Sequence, residues 1–219
     1  MISYFKEGKD KLSICEDSLT ASVFDVLKYF PTHYFWTILK DSLLLDTLPK
    51  FSGEIQEIVF WPKWSAENTY NSKFVEPDVF IRFSEFDLIV EAKRYDANQQ
   101  YNGQLENEVI GYFNEYEEDA KDLYLLQVGG LQENCTKDSI YIQSKKIAQS
   151  KTNWSRLLLI ITNLHNKIIN QQLPDQSPLI FLFNDLINAF AMHGFHQKKW
   201  LVDCDTYKIN SNAIQQFNF

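Results

Sequence analysis

The sequence predicts an α/β fold: a central mixed sheet of about four strands, flanked by helices, with a helical C-terminal extension. Three observations predict it. Residues 76–83 and 87–93 read as two strands joined by a short polar turn, Ser84-Glu85-Phe86. A helical pattern over 104–120 then separates that hairpin from a further apolar run, Leu123 to Val128, and strand–helix–strand at this spacing implies a right-handed crossover onto a parallel neighbour. Finally, apolar residues recur at helical spacing near both ends of the chain.

Taken in order, residues 1–12 are polar and end-like. Leu19, Val23, Val26, Leu27 and Phe30 mark a helix from about Glu16, stopped by Pro31. Glu16 lies on the apolar stripe of that helix. Ser13-Ile14-Cys15-Glu16 also fits a capping box, with Glu16 reaching back to the Ser13 N–H. Spacing alone leaves both roles open. A second, strongly apolar helix covers about His33–Leu45, followed by a turn-rich connector. Ile55 to Trp61 suggests the first strand, and 63–74 a polar loop. After the hairpin, 94–103 is polar. Gln104 opens a helix whose stripe is Leu105, Val109, Tyr112, Phe113 and Tyr116. Gly129-Gly130 reads as a turn. Residues 137–149 read as a polar connection with one short element at most. Two helices follow, about 153–168 and 179–193, with Gly194 as the C′ residue of the second. The division expected is a core over 1–136 and an extension over 137–219.

The second hairpin strand is a continuous apolar run, Leu88 to Val90, that ends on Glu91. Such runs are buried, and a carboxylate and an ammonium at the end of one need partners. Glu91 and Lys93 are two apart and share a side. Asp78 joins them if the hairpin loop is even, with 82 opposite 87 or 83 opposite 88. Two carboxylates and one lysine would then converge, which suits a hard cation and an activated water.

Pro77-Asp78, a gap of 13 positions, and Glu91-Ala92-Lys93 resemble the PD-(D/E)xK motif of the restriction-endonuclease-like nucleases. Glu16 with the helix around it is similar to the first helix of defence-associated members, and Gln104 to a helix-start glutamine found after the motif. The resemblance spans roughly residues 14–128. It implies magnesium (or manganese) held by Asp78 and Glu91, with Glu16 adding a carboxylate. It implies that Lys93 orients or helps deprotonate the attacking water, and that Gln104 positions water or phosphate. The implied activity is metal-dependent hydrolysis of phosphodiester bonds, in DNA before other substrates, in defence, repair or recombination. The implied assembly is a homodimer or a complex with a partner protein. The rival expectation is an inactive nuclease-fold scaffold that binds nucleic acid or protein.

Composition bounds these readings. The chain has 219 residues, 45% hydrophobic and 23% charged, enough for one domain with a sizeable core. No stretch approaches a membrane span and the first residues do not form a signal peptide, so a cytoplasmic protein is expected. Cys15, Cys135 and Cys204 are far apart, with no C-x-x-C pair, and read as reduced thiols. Net charge is −8, which argues against tight binding of bare nucleic acid. Residues 1–136 hold 12 basic and 24 acidic side chains, net −12, and the remainder 9 and 5, net +4. Lys93 and Arg94 at the motif, and Lys145, Lys146 and Lys151 beyond it, are therefore the candidate phosphate contacts. His193 and His196 flank a helix-ending glycine and read as surface or capping residues. Trp61, Trp64 and Tyr70 could stack on bases, but read first as packing aromatics.

Overall fold

The computed structural model describes residues 13–95, 99–131, 136–142, 144–171 and 177–196. Its centre is the hairpin of β4 (Val79–Phe83) and β5 (Phe86–Ala92), paired antiparallel with Arg82 opposite Asp87 and Val79 opposite Val90. Every residue of β5 is buried, so the strand has two dry faces. Alternation sorts them. Leu88 and Val90 join Val79 and Ile81 in one core, while Ile89 joins Phe80 in another.

β1 (Ile55–Phe60) pairs antiparallel with β4. α3 (Asn102–Tyr116) carries the chain from β5 to β6 (Asp122–Val128), which lies parallel to β5. β8 (Lys145–Thr152) is parallel to β6, and β7 (Ser139–Ile142) is antiparallel to β8. The sheet order is β1-β4-β5-β6-β8-β7. The mixed α/β sheet is as expected, but it has six strands and not about four. The two extra strands come from the segment read as a polar connection. β8 buries Gln149, Ser150, Lys151 and Thr152, so apolar alternation could not reveal it. The boundary expected after residue 136 thus falls between two strands of one sheet.

α1 (Glu16–Leu27), α2 (Thr32–Ser42), α4 (Trp154–Gln171) and α5 (Ser177–Met192) supply the larger core on one face. The expected C-terminal helix pair does pack there, and Gly194 after α5 has φ +88°. α3 packs on the opposite face, with Leu105, Val109 and Tyr112 against Phe80, Ile89 and Leu125. The segment read as a polar loop forms a short ribbon, β2 (Trp64–Ser65) with β3 (Phe74–Val75), and Trp64 packs edge-on to Phe80 and Tyr112. α2 stops at Ser42, earlier than expected. Leu44 and Leu45 bond the Lys151 backbone instead, at 2.7 Å for Leu44 N–H to Lys151 O and 3.0 Å for Lys151 N–H to Leu45 O. No helix among the described residues is long and apolar enough to cross a membrane.

Candidate functional site at the end of the central strands

The hairpin register is the even one. One step beyond the Val79–Val90 pair, Asp78 faces Glu91, on the α3 side of the sheet, with Lys93 on that same side. Asp78 is 8% exposed and Glu91 1%. Asp78 Oδ2 accepts the Ala92 N–H at 2.8 Å, and Oδ1 accepts the Trp61 indole N–H at 3.3 Å. Glu91 Oε1 accepts the Gln104 amide at 2.7 Å and pairs with the Lys93 ammonium. The ammonium also stands 3.5 Å from Glu16 Oε1, and Glu16 Oε2 accepts the Arg94 N–H at 3.0 Å.

Glu16 is free to reach this far because it is not the capping partner. Cys15 is the N-cap, and its N–H donates to Ser18 Oγ at 3.0 Å, so the serine closes the box. All five residues singled out in the sequence therefore stand in one neighbourhood, brought from α1, the hairpin and α3.

One further acid, not among the residues the motif pointed to, stands with them. Glu108 is 1% exposed, one helical turn beyond Gln104. Neither of its oxygens accepts a hydrogen bond from the described residues, and Glu91 Oε2 is likewise without a donor. Its neighbour is Glu91 itself: burial first, and then the Glu91 charge, push the Glu108 pKa up. A sequence signal existed: Glu108 lies three residues after Leu105 and four before Tyr112, on the buried stripe of the helix.

The backbone around Lys93 is clamped. Trp154 Nε1–H donates to Lys93 O at 2.7 Å, and Lys93 N–H to Val128 O at 2.8 Å. Gln100 Nε2 donates to Glu91 O and Gly129 O, each at 3.2 Å. Gly129 and Gly130 have φ of +73° and +64°, and a Cβ on Gly129 would stand 2.4 Å from Lys93 O. The turn read from these glycines is thus also a close approach to the strand that carries Lys93.

The acids are held above their ordinary pKa values. Burial is the main cause for Asp78, Glu91 and Glu108, and nearby negative charge adds to it. For Lys93, burial works against the charged form, but Glu91, Glu16 and Asp78 outweigh it and raise its pKa. Lys93 is therefore an ammonium at neutral pH, suited to orienting and neutralising and not to taking a proton. Gln104, expected to position water or phosphate, spends its amide on Glu91.

No group of three or more His, Cys, Asp or Glu among the described residues is already arranged to hold a metal ion. The Lys93 ammonium occupies one oxygen of Glu91 and faces one of Glu16. The donor chemistry nevertheless fits magnesium or manganese. The acids offer only oxygen, and among the described residues no donor satisfies Glu91 Oε2 or either Glu108 oxygen.

Other candidates separate from the site. Lys151 is 1% exposed and donates to Lys137 O at 2.6 Å, so it is not a surface cation. Lys145 and Lys146 lie at the far end of β8, six and five residues before the Gln127–Lys151 pair, or roughly 16–20 Å along the strand. His193 is buried, not a surface residue: its Nε2 lies 2.9 Å from Ser18 Oγ and its Nδ1 2.8 Å from Ala189 O. His196 is exposed. Trp61 holds Asp78, Trp64 is core, and only Tyr70 is open, at 91% exposure. Cys15 forms no disulfide among the described residues, while Cys135, Cys204 and the chain from 197 lie outside them.

No protein-family model matches the sequence. A protein of Pasteurella multocida (strain Pm70) named uncharacterized protein PM0110 is 30% identical over 203 residues, an alignment that covers 85% of this chain and 73% of that protein. The chain thus belongs to the same family as uncharacterized protein PM0110.

Proposed function

We propose that this protein is a metal-dependent nuclease of the PD-(D/E)xK type that hydrolyses phosphodiester bonds in DNA. One observation carries the reading: the even hairpin register faces Asp78 with Glu91 beside Lys93, and two separate helices deliver Glu16 and Gln104 to the same place. Asp78 and Glu91, with Glu16 adjoining, would hold magnesium or manganese. The bound ion supplies Lewis-acid polarisation of the phosphate and a more acidic water. Lys93 donates from its ammonium to the phosphate oxygens or the water and offsets their charge. Gln104 keeps the Glu91 carboxylate in place. Trp61 and the Ala92 N–H do the same for Asp78.

The test is incubation of the protein with linear, nicked, supercoiled and single-stranded DNA, in magnesium and in EDTA. Cleavage that needs the metal and disappears in Lys93→Ala supports the reading; no cleavage of any form overturns it. The inactive scaffold is the second reading, because Lys93 already pairs with Glu91 and Glu16 as in a structural ion network. Manganese separates the two. A nuclease site is stabilised by it in a concentration-dependent way, whereas a scaffold is indifferent.

A further inference from the structure

A cleft of about 610 Å³ lies between the β2–β3 ribbon and the start of α3. Gln104 and Glu108 belong to its lining, and on their other side they meet Glu91. The cleft therefore opens beside the carboxylates. Its volume is that of a site for a small organic group, about 300–1,000 Å³, and not of a groove for a duplex.

The chemistry of the lining is specific. Among the described residues it includes no lysine or arginine, and it includes the acids Glu76, Glu106 and Glu108. A surface that tracks a phosphate backbone needs cations, so the cleft is not built for phosphates. It offers two open aromatic rings, Tyr70 at 91% and Tyr101 at 72% exposure. Both are placed by local contacts. The Tyr70 N–H donates to Asn107 Oδ1 at 3.2 Å, and Asn107 Nδ2 donates to Asn71 Oδ1 at 3.2 Å, which ties the ribbon loop to α3. The Tyr101 ring lies over Gly103, where a Cβ would stand 2.6 Å from Cε1. Exposed, placed aromatic faces without cations suit neutral π-systems, and Asn102 adds an amide able to read a base edge.

We infer that this cleft binds bases of an unpaired DNA strand, so that the substrate of the adjoining site is single-stranded or frayed DNA and not intact duplex. This substrate class rests on the nuclease reading, while the binding itself does not. Stacking holds the bases, and the phosphate between them and the next nucleotide reaches Lys93 from the cleft side.

The experiment is fluorescence anisotropy of a labelled oligothymidylate and of a blunt duplex of equal length, in calcium and in EDTA, with cleavage in magnesium read separately. The single strand should bind about ten-fold or more tightly than the duplex. Tyr70→Ala and Tyr101→Ala should each weaken single-strand binding about ten-fold, with Tyr→Phe close to wild type. Both tyrosines are exposed, so these variants keep the fold, which a thermal melt verifies. Equal or tighter duplex binding, or tyrosine variants that bind the single strand like wild type, overturns the inference. Tyrosine-dependent single-strand binding without any cleavage sustains the cleft and removes the nuclease. Cleavage of duplex that ignores both tyrosines does the reverse.

Discussion

Strand β5 carries a buried acid at each end, and the two are handled in opposite ways. Asp87, at its start, is 0% exposed; Glu91, near its end, is 1% exposed. Both face α3. At Asp87 the helix presents Tyr112, whose hydroxyl donates to Oδ2 at 2.7 Å, and β4 presents Arg82 with Nε 3.4 Å from Oδ1. One turn earlier the same helix presents Glu108 to Glu91, and β4 is preceded by Asp78. The first acid meets a donor and a cation. The second meets two more acids, and Glu16 beside them, against one lysine. Burial raises the pKa of both Asp87 and Glu91, but only at Glu91 do neighbouring acids leave negative charge in excess. A balanced buried pair holds a fold together, whereas a surplus of buried carboxylate destabilises it unless something positive is bound.

Breaking the surplus end should abolish activity. Lys93→Ala should lower DNA cleavage by about 10²–10³-fold or more while the fold survives, since one positioned donor to a developing negative charge has that value. Glu91→Gln should lose manganese binding as well, measured by calorimetry. Cleavage by Lys93→Ala at the wild-type rate would remove the role assigned to it.

Breaking the balanced end should do the opposite. Asp87→Ala should cost about 3 kcal/mol in urea unfolding, the low side for a buried pair, because Arg82 keeps some solvent contact. Cleavage per folded molecule should be unchanged. A variant of normal stability would show that the two ends do not differ as described.

Glu108→Gln sharpens the contrast. Replacing a buried acid that meets no donor among the described residues by an amide that donates to Glu91 should stabilise the metal-free protein by about 1 kcal/mol, or about 2–4 °C in Tm for a chain of this size. Destabilisation in EDTA would mean that Glu108 is a satisfied structural group.

The pH dependence follows from the same acids. Asp78, Glu91 and Glu108 have folded pKa values raised above their unfolded ones. Their contribution to stability is full below the unfolded carboxylate range, about pH 4, and is lost as pH rises through the raised values. In EDTA, lowering the pH from 8 towards 5 should therefore raise the Tm by a few degrees, and Glu108→Gln should flatten that slope. A Tm that falls over this range in the wild type would count against the surplus charge.

The smallest effect is expected far from both ends. Lys145→Glu with Lys146→Glu should leave cleavage intact and change the salt slope of DNA binding by no more than about one unit per lost phosphate contact, because these lysines lie about 20 Å from Glu91. A large loss of cleavage would place the substrate path along β8.

The difference between the two ends of β5 was only half legible in the sequence. The apolar run Leu88 to Val90 forced the strand inside, and the spacing of Glu91 and Lys93 put both on one side of it. Glu108 sat on a helical stripe beside Leu105 and Tyr112, but a glutamate in such a stripe reads as a boundary of the apolar face until its neighbour is known. The burial of Lys151 was illegible for the same reason: expected among the phosphate contacts, it lies two strands from Glu91 on β8, where polar side chains erase the alternation that marks a strand.

By itself, the sequence determined the order of the main elements, the burial of the central strand and the residue types at its end. These depend on periodicity and local chain geometry, which a few consecutive residues define. Only the tertiary structure decided which hairpin register holds, that Ser18 and not Glu16 closes the capping box of α1, that Glu108 faces Glu91, and that residues 139–152 extend the sheet to six strands. Each of these depends on contacts between segments distant in the chain, where packing and hydrogen bonding choose among local alternatives of similar energy.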